Sequence, residues 1–139
     1  MVEMDMIGEV MGSGDIDTIA ALNDAVNEGL PKSTLRCTVK HLYTNSSDQL
    51  RFIYRVVPEA TFKRRKDRLN EVESERTERL ARTIATAEYV LGDKEIARQF
   101  LISPHPMLNG KTPIETALSE LGARQIEQML FSVFYGLPV

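Results

Sequence analysis

Between residues 61 and 68 the chain reads Thr61-Phe62-Lys63-Arg64-Arg65-Lys66-Asp67-Arg68, a dense run of hydrogen-bond donors around one aromatic ring. Ammonium and guanidinium groups bind phosphate oxygens, and arginine also reaches the acceptor edge of guanine in the major groove. Helical spacing at 48–56, a short break, and a cationic helix over 58–68 have the arithmetic of a helix-turn-helix. On that reading Thr61, Lys63, Arg64, Arg65 and Arg68 face DNA. The same run also fits a solvated charged face, the commonest fate of such residues, and spacing alone leaves both readings open.

A second concentration of unusual residues lies at 129–139. Met129, Leu130, Phe131, Val133, Phe134, Tyr135, Leu137, Pro138 and Val139 crowd into eleven positions. One face of one helix cannot bury them all in a small domain, and surplus apolar and aromatic surface points to a protein contact. The alternative is ordinary docking of a last helix into its own core; Ile126 and Leu130 belong to the core either way.

Catalysis finds no such support. His41 and His105 have no partner at metal spacing, and Cys37 stands alone, so neither a zinc motif nor an internal disulfide can be written. Cys37 reads as a small buried hydrophobe and His105 as a residue of a proline-flanked loop. No triad or paired-acid spacing occurs. Gly8, Gly12 and Gly14 do not follow a strand, which argues against a dinucleotide-binding loop. The chain is therefore expected to be no enzyme and to need no cofactor and no metal.

Composition sets the frame for these features. At 139 residues and 42% hydrophobic content, with no tryptophan, the chain builds its core from Leu, Ile, Val, Ala and Met. No apolar run nears the roughly 20 residues of a membrane span, and Glu3, Asp5 and Glu9 stand where a signal peptide needs lysine. These features place it in the cytoplasm, away from membranes. The net charge of −3 hides a polarised distribution. Residues 1–31 carry seven acids and no Lys or Arg, whereas residues 32–70 carry ten bases against three acids. A local basic block of this kind is the electrostatic footprint of a phosphate partner.

The elements that position these residues are helical throughout; apolar–polar alternation is never sustained, so the fold class is all-α. Residues 16–27 place Ile16, Ile19, Asn23 and Val26 on one side, with Gly29 and Pro31 as stops and a loose glycine-bearing segment before them. Ser33 starts a helix with Leu35, Val39 and Leu42 inward, and Ser47 caps one carrying Leu50 and Ile53 to Val56. Pro58 opens the basic helix, anchored by Phe62 and Leu69. Asn70 and Glu73 form a capping box for a long helix through Leu80, Ile84, Ala87 and Leu91, closed by Gly92. Asp93 caps a short helix with Ile96, Phe100 and Leu101 inward. Thr112-Pro113-Ile114-Glu115 is a second capping box, and a last helix follows Gly122 through Ile126 and Leu130 to Gly136.

Several ordered motifs then carry a resemblance. Ser74-Glu75-Arg76, Arg79-Leu80-Ala81-Arg82, Ala87 and Gly92-Asp93 are followed by Pro106, Leu108, Gly110, Thr112, Pro113, Gly122, Ile126, Leu130 and Gly136. In this order, residues 69–136 resemble antitoxins of the Xre/MbcA/ParS family, partners of RES-domain toxins in type II toxin–antitoxin modules. Residues 33–68 resemble the Xre-like helix-turn-helix that precedes that module, with Arg64-Arg65 matching its arginine pair and Val56-Val57-Pro58 replacing its usual turn. The resemblance implies a helix-turn-helix domain (32–69) and a C-terminal toxin-binding domain (70–139); the acidic segment before them (1–31), with one helix, matches neither and is a third part. It further implies neutralisation of a RES toxin, an NAD-consuming or ADP-ribosylating enzyme, by occlusion of its NAD cleft. Phe131, Phe134, Tyr135, Gly136, Leu137, Pro138 and Val139 would make that contact. A homodimer that binds operator DNA and represses its own operon is also implied, with recognition helices about 34 Å apart. The competing reading is a helix-turn-helix repressor whose C-terminal half only dimerises it.

Overall fold

A 21-residue helix, α6 (Glu71–Leu91), is the axis on which most of the other helices pack. Its start is set by a reciprocal cap in which the Glu73 N–H donates to the Asn70 side chain and the Asn70 N–H donates to the Glu73 carboxylate. Its end is set by Gly92, at a left-handed φ of 72°. Both ends lie where the sequence places them. Thr77, Thr83 and Thr86 are buried along this helix, and each hydroxyl donates to the carbonyl four residues back.

The computed structural model describes residues 3–136, and of Phe134 only the backbone. Before α6 come α1 (Met4–Met11), α2 (Ile19–Glu28), α3 (Lys32–Lys40), α4 (Ser46–Val56) and α5 (Glu59–Arg64). After it come α7 (Lys94–Ile102), a 3-10 turn at Pro106–Leu108, α8 (Pro113–Thr116) and α9 (Glu120–Phe134). The described residues are all-α. Pro31 and Arg68 form an isolated antiparallel bridge. One continuous core runs from Ile7 and Val10 of α1 through Leu35 and Val39 of α3 and Ile53 of α4. It continues through Leu80 and Ile84 of α6 to Ile126 and Leu130 of α9. No helix among the described residues is long and apolar enough to cross a membrane.

Four expectations need correction. Residues 1–31 hold two helices rather than one: the segment read as loose contains α1, whose Ile7, Val10 and Met11 are buried. These residues fall at i, i+3 and i+4, and Gly8 is there for space, since a Cβ would come within 2.6 Å of the Ser13 carbonyl oxygen. Ile19, Leu50 and Ile96 point outward, 73%, 43% and 56% exposed, because Leu22, Phe52 and Ala97 take the inward places on their helices. Helix α4 is capped by Asn45, which accepts from the N–H groups of Ser47 and Asp48, and Pro31 stands at the cap position of α3. Gly122 lies inside the first turn of α9, where its N–H meets the Ser119 cap.

Candidate functional site

Helices α4 and α5, joined through Val57 and Pro58, form the helix-turn-helix. Phe62 fastens α5 to its neighbours: its ring meets Tyr54 of α4 edge-on at 6.3 Å. On α3, Lys32 Nζ lies 4.3 Å and Arg36 5.2 Å from the ring centroid of Phe62. The turn is tied to the long helix by Arg76, which donates to the Val56 carbonyl at 3.0 Å.

The basic helix is shorter than its sequence suggests. It ends at Arg64, and Arg65 is already extended, with φ −63° and ψ 128°. A seam with the α2–α3 junction explains the stop. The Lys32 N–H donates to the Asp67 carbonyl at 2.9 Å and the Leu69 N–H to the Leu30 carbonyl at 2.8 Å. Lys32 Nζ donates to the Arg65 carbonyl, and Arg68 Nη1 to the Gly29 carbonyl at 2.7 Å. Residues 65–69 exchange helical hydrogen bonds for these, so Phe62 and Leu69 are both buried but not on one helix.

The five residues expected to face DNA therefore divide. Thr61 is half-buried, and Lys63 is exposed but pairs with Glu59 one turn back at 2.8 Å. Arg64 is exposed, with no hydrogen bond or ion pair to another described residue. Arg65 turns to α6 and grips Glu73 with Nε at 3.1 Å and Nη2 at 3.2 Å. Arg68 is exposed but holds Gly29. Two further cations are exposed near them, Lys66 in the loop and Arg36 against Phe62. The signal for Arg36 lay in its i+4 relation to Lys32, on a helix whose apolar stripe starts at Leu35.

Burial pushes the Glu73 carboxyl up, but the hydrogen bonds from Arg65 and Asn70 outweigh it and hold the group below the usual carboxylate range. His41 Nδ1 lies 2.9 Å from Glu88, and His105 Nδ1 accepts from the Met107 N–H. The half-buried Cys37 lies against Gly12.

One turn further along α6, Arg79 moors α9, donating to Glu120 at 2.9 Å and to the Leu118 carbonyl at 3.0 Å. Burial raises the Glu120 carboxyl, and the hydrogen bond from Arg79 with the nearby arginines brings it below its ordinary value. Ile126 and Leu130 are buried, as expected, and the helix then emerges. Phe131 is half-buried and lines a groove against α1 and α2, whereas Val133 is 52% and Tyr135 67% exposed. Gly136 takes a left-handed φ of 69°. Leu137, Pro138 and Val139, and the side chain of Phe134, lie outside the described residues.

This two-part arrangement has known counterparts. Residues 21–82 match the Antitoxin Xre-like helix-turn-helix domain, and residues 86–136 match the Antitoxin Xre/MbcA/ParS C-terminal toxin-binding domain. The chain belongs to the Xre/MbcA/ParS antitoxin family. It is 33% identical over 84 residues to a protein described as Antitoxin Xre from Pseudomonas putida, over 58% of this chain and 53% of that relative. The chain thus spans about half the length of the curated relative that it matches. α1 and the first two residues of α2 precede both matched ranges.

Proposed function

We propose that this chain is the antitoxin of a type II toxin–antitoxin pair and that it neutralises a RES-domain, NAD-consuming toxin by closing its NAD cleft with residues 131–139. The observation that carries this reading is the emergence of α9 from the core within the range matched to a toxin-binding domain. Leu130 is fully buried, and five residues later Tyr135 is 67% exposed. A helix that leaves its own core with aromatic side chains at its end offers a plug at low ordering cost. The second role is autorepression as a homodimer in the cytoplasm, with Lys63, Arg64, Lys66 and Arg68 meeting operator phosphates. Thr61 lies beside them, and Arg65 contributes by holding the loop in place.

The test is co-expression with the product of the neighbouring open reading frame. Full-length protein restores growth and co-purifies with that product, and a variant lacking residues 135–139 does neither while keeping its helical spectrum and operator binding. This cut spares Phe131, which the fold uses. If the truncated chain protects fully, the tail mechanism is wrong. A harmless neighbour and a chain that elutes alone would favour the repressor whose C-terminal half only dimerises it.

A further inference from the structure

Between α1, α2, α6 and α9 runs a groove of about 410 Å³. One wall is apolar, built from Met4 and Ile7 of α1, Ile19 and Leu22 of α2, and Phe131 of α9. Ile19 belongs to this wall and is 73% exposed, so apolar surface continues out onto the rim. The other wall is acidic: Glu75 and Glu78 of α6 and Glu127 of α9, with Arg82 the one cation among the described lining residues.

Arg82 does not balance this wall. Its Nε lies 3.0 Å from Glu127 Oε1 but out of line, and both atoms are buried without a hydrogen-bond partner among the described residues. The same guanidinium is shared with Glu78 at 3.8 Å and Glu120 at 3.7 Å. Burial pushes the Glu78 carboxyl above its ordinary value despite the nearby arginine. The groove therefore combines an apolar seat with carboxylates that lack enough positive charge.

We propose that this groove docks an amphipathic helix of a partner protein, one that lays leucine-like side chains along Met4, Ile19 and Phe131, above the buried Ile7 and Leu22, and sets a lysine or arginine against Glu78 and Glu127. This is helix-in-groove recognition with a charged anchor, and the −7 charge of residues 1–31 draws basic partners toward it. A second copy of this chain fits poorly, because its basic block buries Phe62 and, among the described residues, exposes a single large aliphatic side chain, Leu50, rather than a stripe. The groove's outer wall, α1 and Ile19, lies outside both matched ranges, so the inference does not rest on the antitoxin reading.

The experiment uses the full chain with labelled methyl groups and a synthetic Leu/Lys peptide of roughly four helical turns with its leucines on one face. Two controls replace Lys by Glu or scramble the order. The Leu/Lys helix shifts the methyl signals of Ile7, Ile19 and Leu22 and binds at least about tenfold more tightly than either control, a difference of about 1.4 kcal/mol. Ile19→Ser and Glu78→Gln each weaken it by about tenfold, on the same scale. Ile19→Ser decides the matter even if Glu78→Gln perturbs the fold, because Ile19 is largely exposed. Equal affinity for the scrambled peptide, shifts confined to other surfaces, or indifference to Ile19→Ser would overturn the proposal. Groove signals that move with protein concentration alone would overturn it too, by giving the groove to self-association.

Discussion

Arg65 and Glu73 join the end of α5 to the first turn of α6 by two parallel hydrogen bonds, Nε to Oε1 and Nη2 to Oε2. The same carboxylate caps α6 through the Asn70 N–H, so one buried side chain serves both the long helix and the basic loop. An arginine that its neighbours suggest for DNA is instead a bolt in the fold.

Arg64 and Arg65 should therefore separate cleanly. Arg65→Ala leaves Glu73 buried with two of its three hydrogen bonds gone and destabilises by about 1–3 kcal/mol. Arg64→Ala leaves the unfolding midpoint within about 0.5 kcal/mol of the parent but weakens operator binding and lowers the salt slope by about one. Denaturant unfolding, together with binding titrations at several salt concentrations, checks both. Equal stability losses for the two would contradict the geometry.

Acid should unfold the protein through a small set of carboxylates. Glu115, hydrogen-bonded by Arg55 and Thr112, and Glu73 both sit below their ordinary values. Their contribution is complete above the unfolded value of about 4.3 and is lost as pH falls through the lower folded value. Glu78, raised by burial, works the other way: its neutral form favours the fold, and that advantage fades as pH rises through its folded value. Unfolding midpoints measured against pH should fall steeply below about pH 4. Glu73→Gln should shrink that fall, and Glu78→Gln should stabilise at neutral pH and not in acid. A fall of the same size in the Glu73→Gln variant would remove this residue from the account.

Helix α1 is part of the core, and Ile7→Ala should cost about 2–5 kcal/mol, the range for truncating a large buried aliphatic. Deleting residues 1–31 should unfold the protein rather than tighten its hold on DNA by removing acidic competition. Circular dichroism and unfolding of the two variants distinguish an integral helix from a detachable acidic arm.

Much of this was legible in local chemistry. Asn70 with Glu73, Thr112 with Glu115, Asp93 and Gly92 each mark a helix end through hydrogen bonds that need only neighbouring residues, and each marks one here. What escaped depends on contacts made across turns and between elements, which no helical repeat announces. Gly8 reads as looseness until the Ser13 carbonyl is seen against it. Arg65 reads as a DNA contact until Glu73 is seen beside it, and the basic helix reads as continuing until Lys32 claims the Arg65 and Asp67 carbonyls. The groove escaped because its outer wall is the helix that the sequence hid.

Gly122 provides a further check on packing. A Cβ there would run into the Thr116 carbonyl oxygen where α8 hands over to α9. Gly122→Ala should cost about 1–3 kcal/mol, as overpacking does, and should tilt α9. Loss of partner binding together with stability, while operator contacts persist in the folded fraction, is the expected pattern. An unchanged unfolding midpoint would mean that the α8–α9 turn yields freely.

On the proposed DNA-binding role, the seam between residues 29–32 and 65–69 bears on how operator preference would be moved between relatives. A chimaera exchanging only residues 32–69 would carry the recognition helix but sever its loop from the host's Gly29 and Leu30 carbonyls and from Glu73. The transferable cassette is discontinuous: it comprises the helix-turn-helix, the strip just before it and the first turn of α6 after it. Grafts that respect those three pieces should inherit specificity, and grafts cut at the apparent domain edges should inherit instability instead.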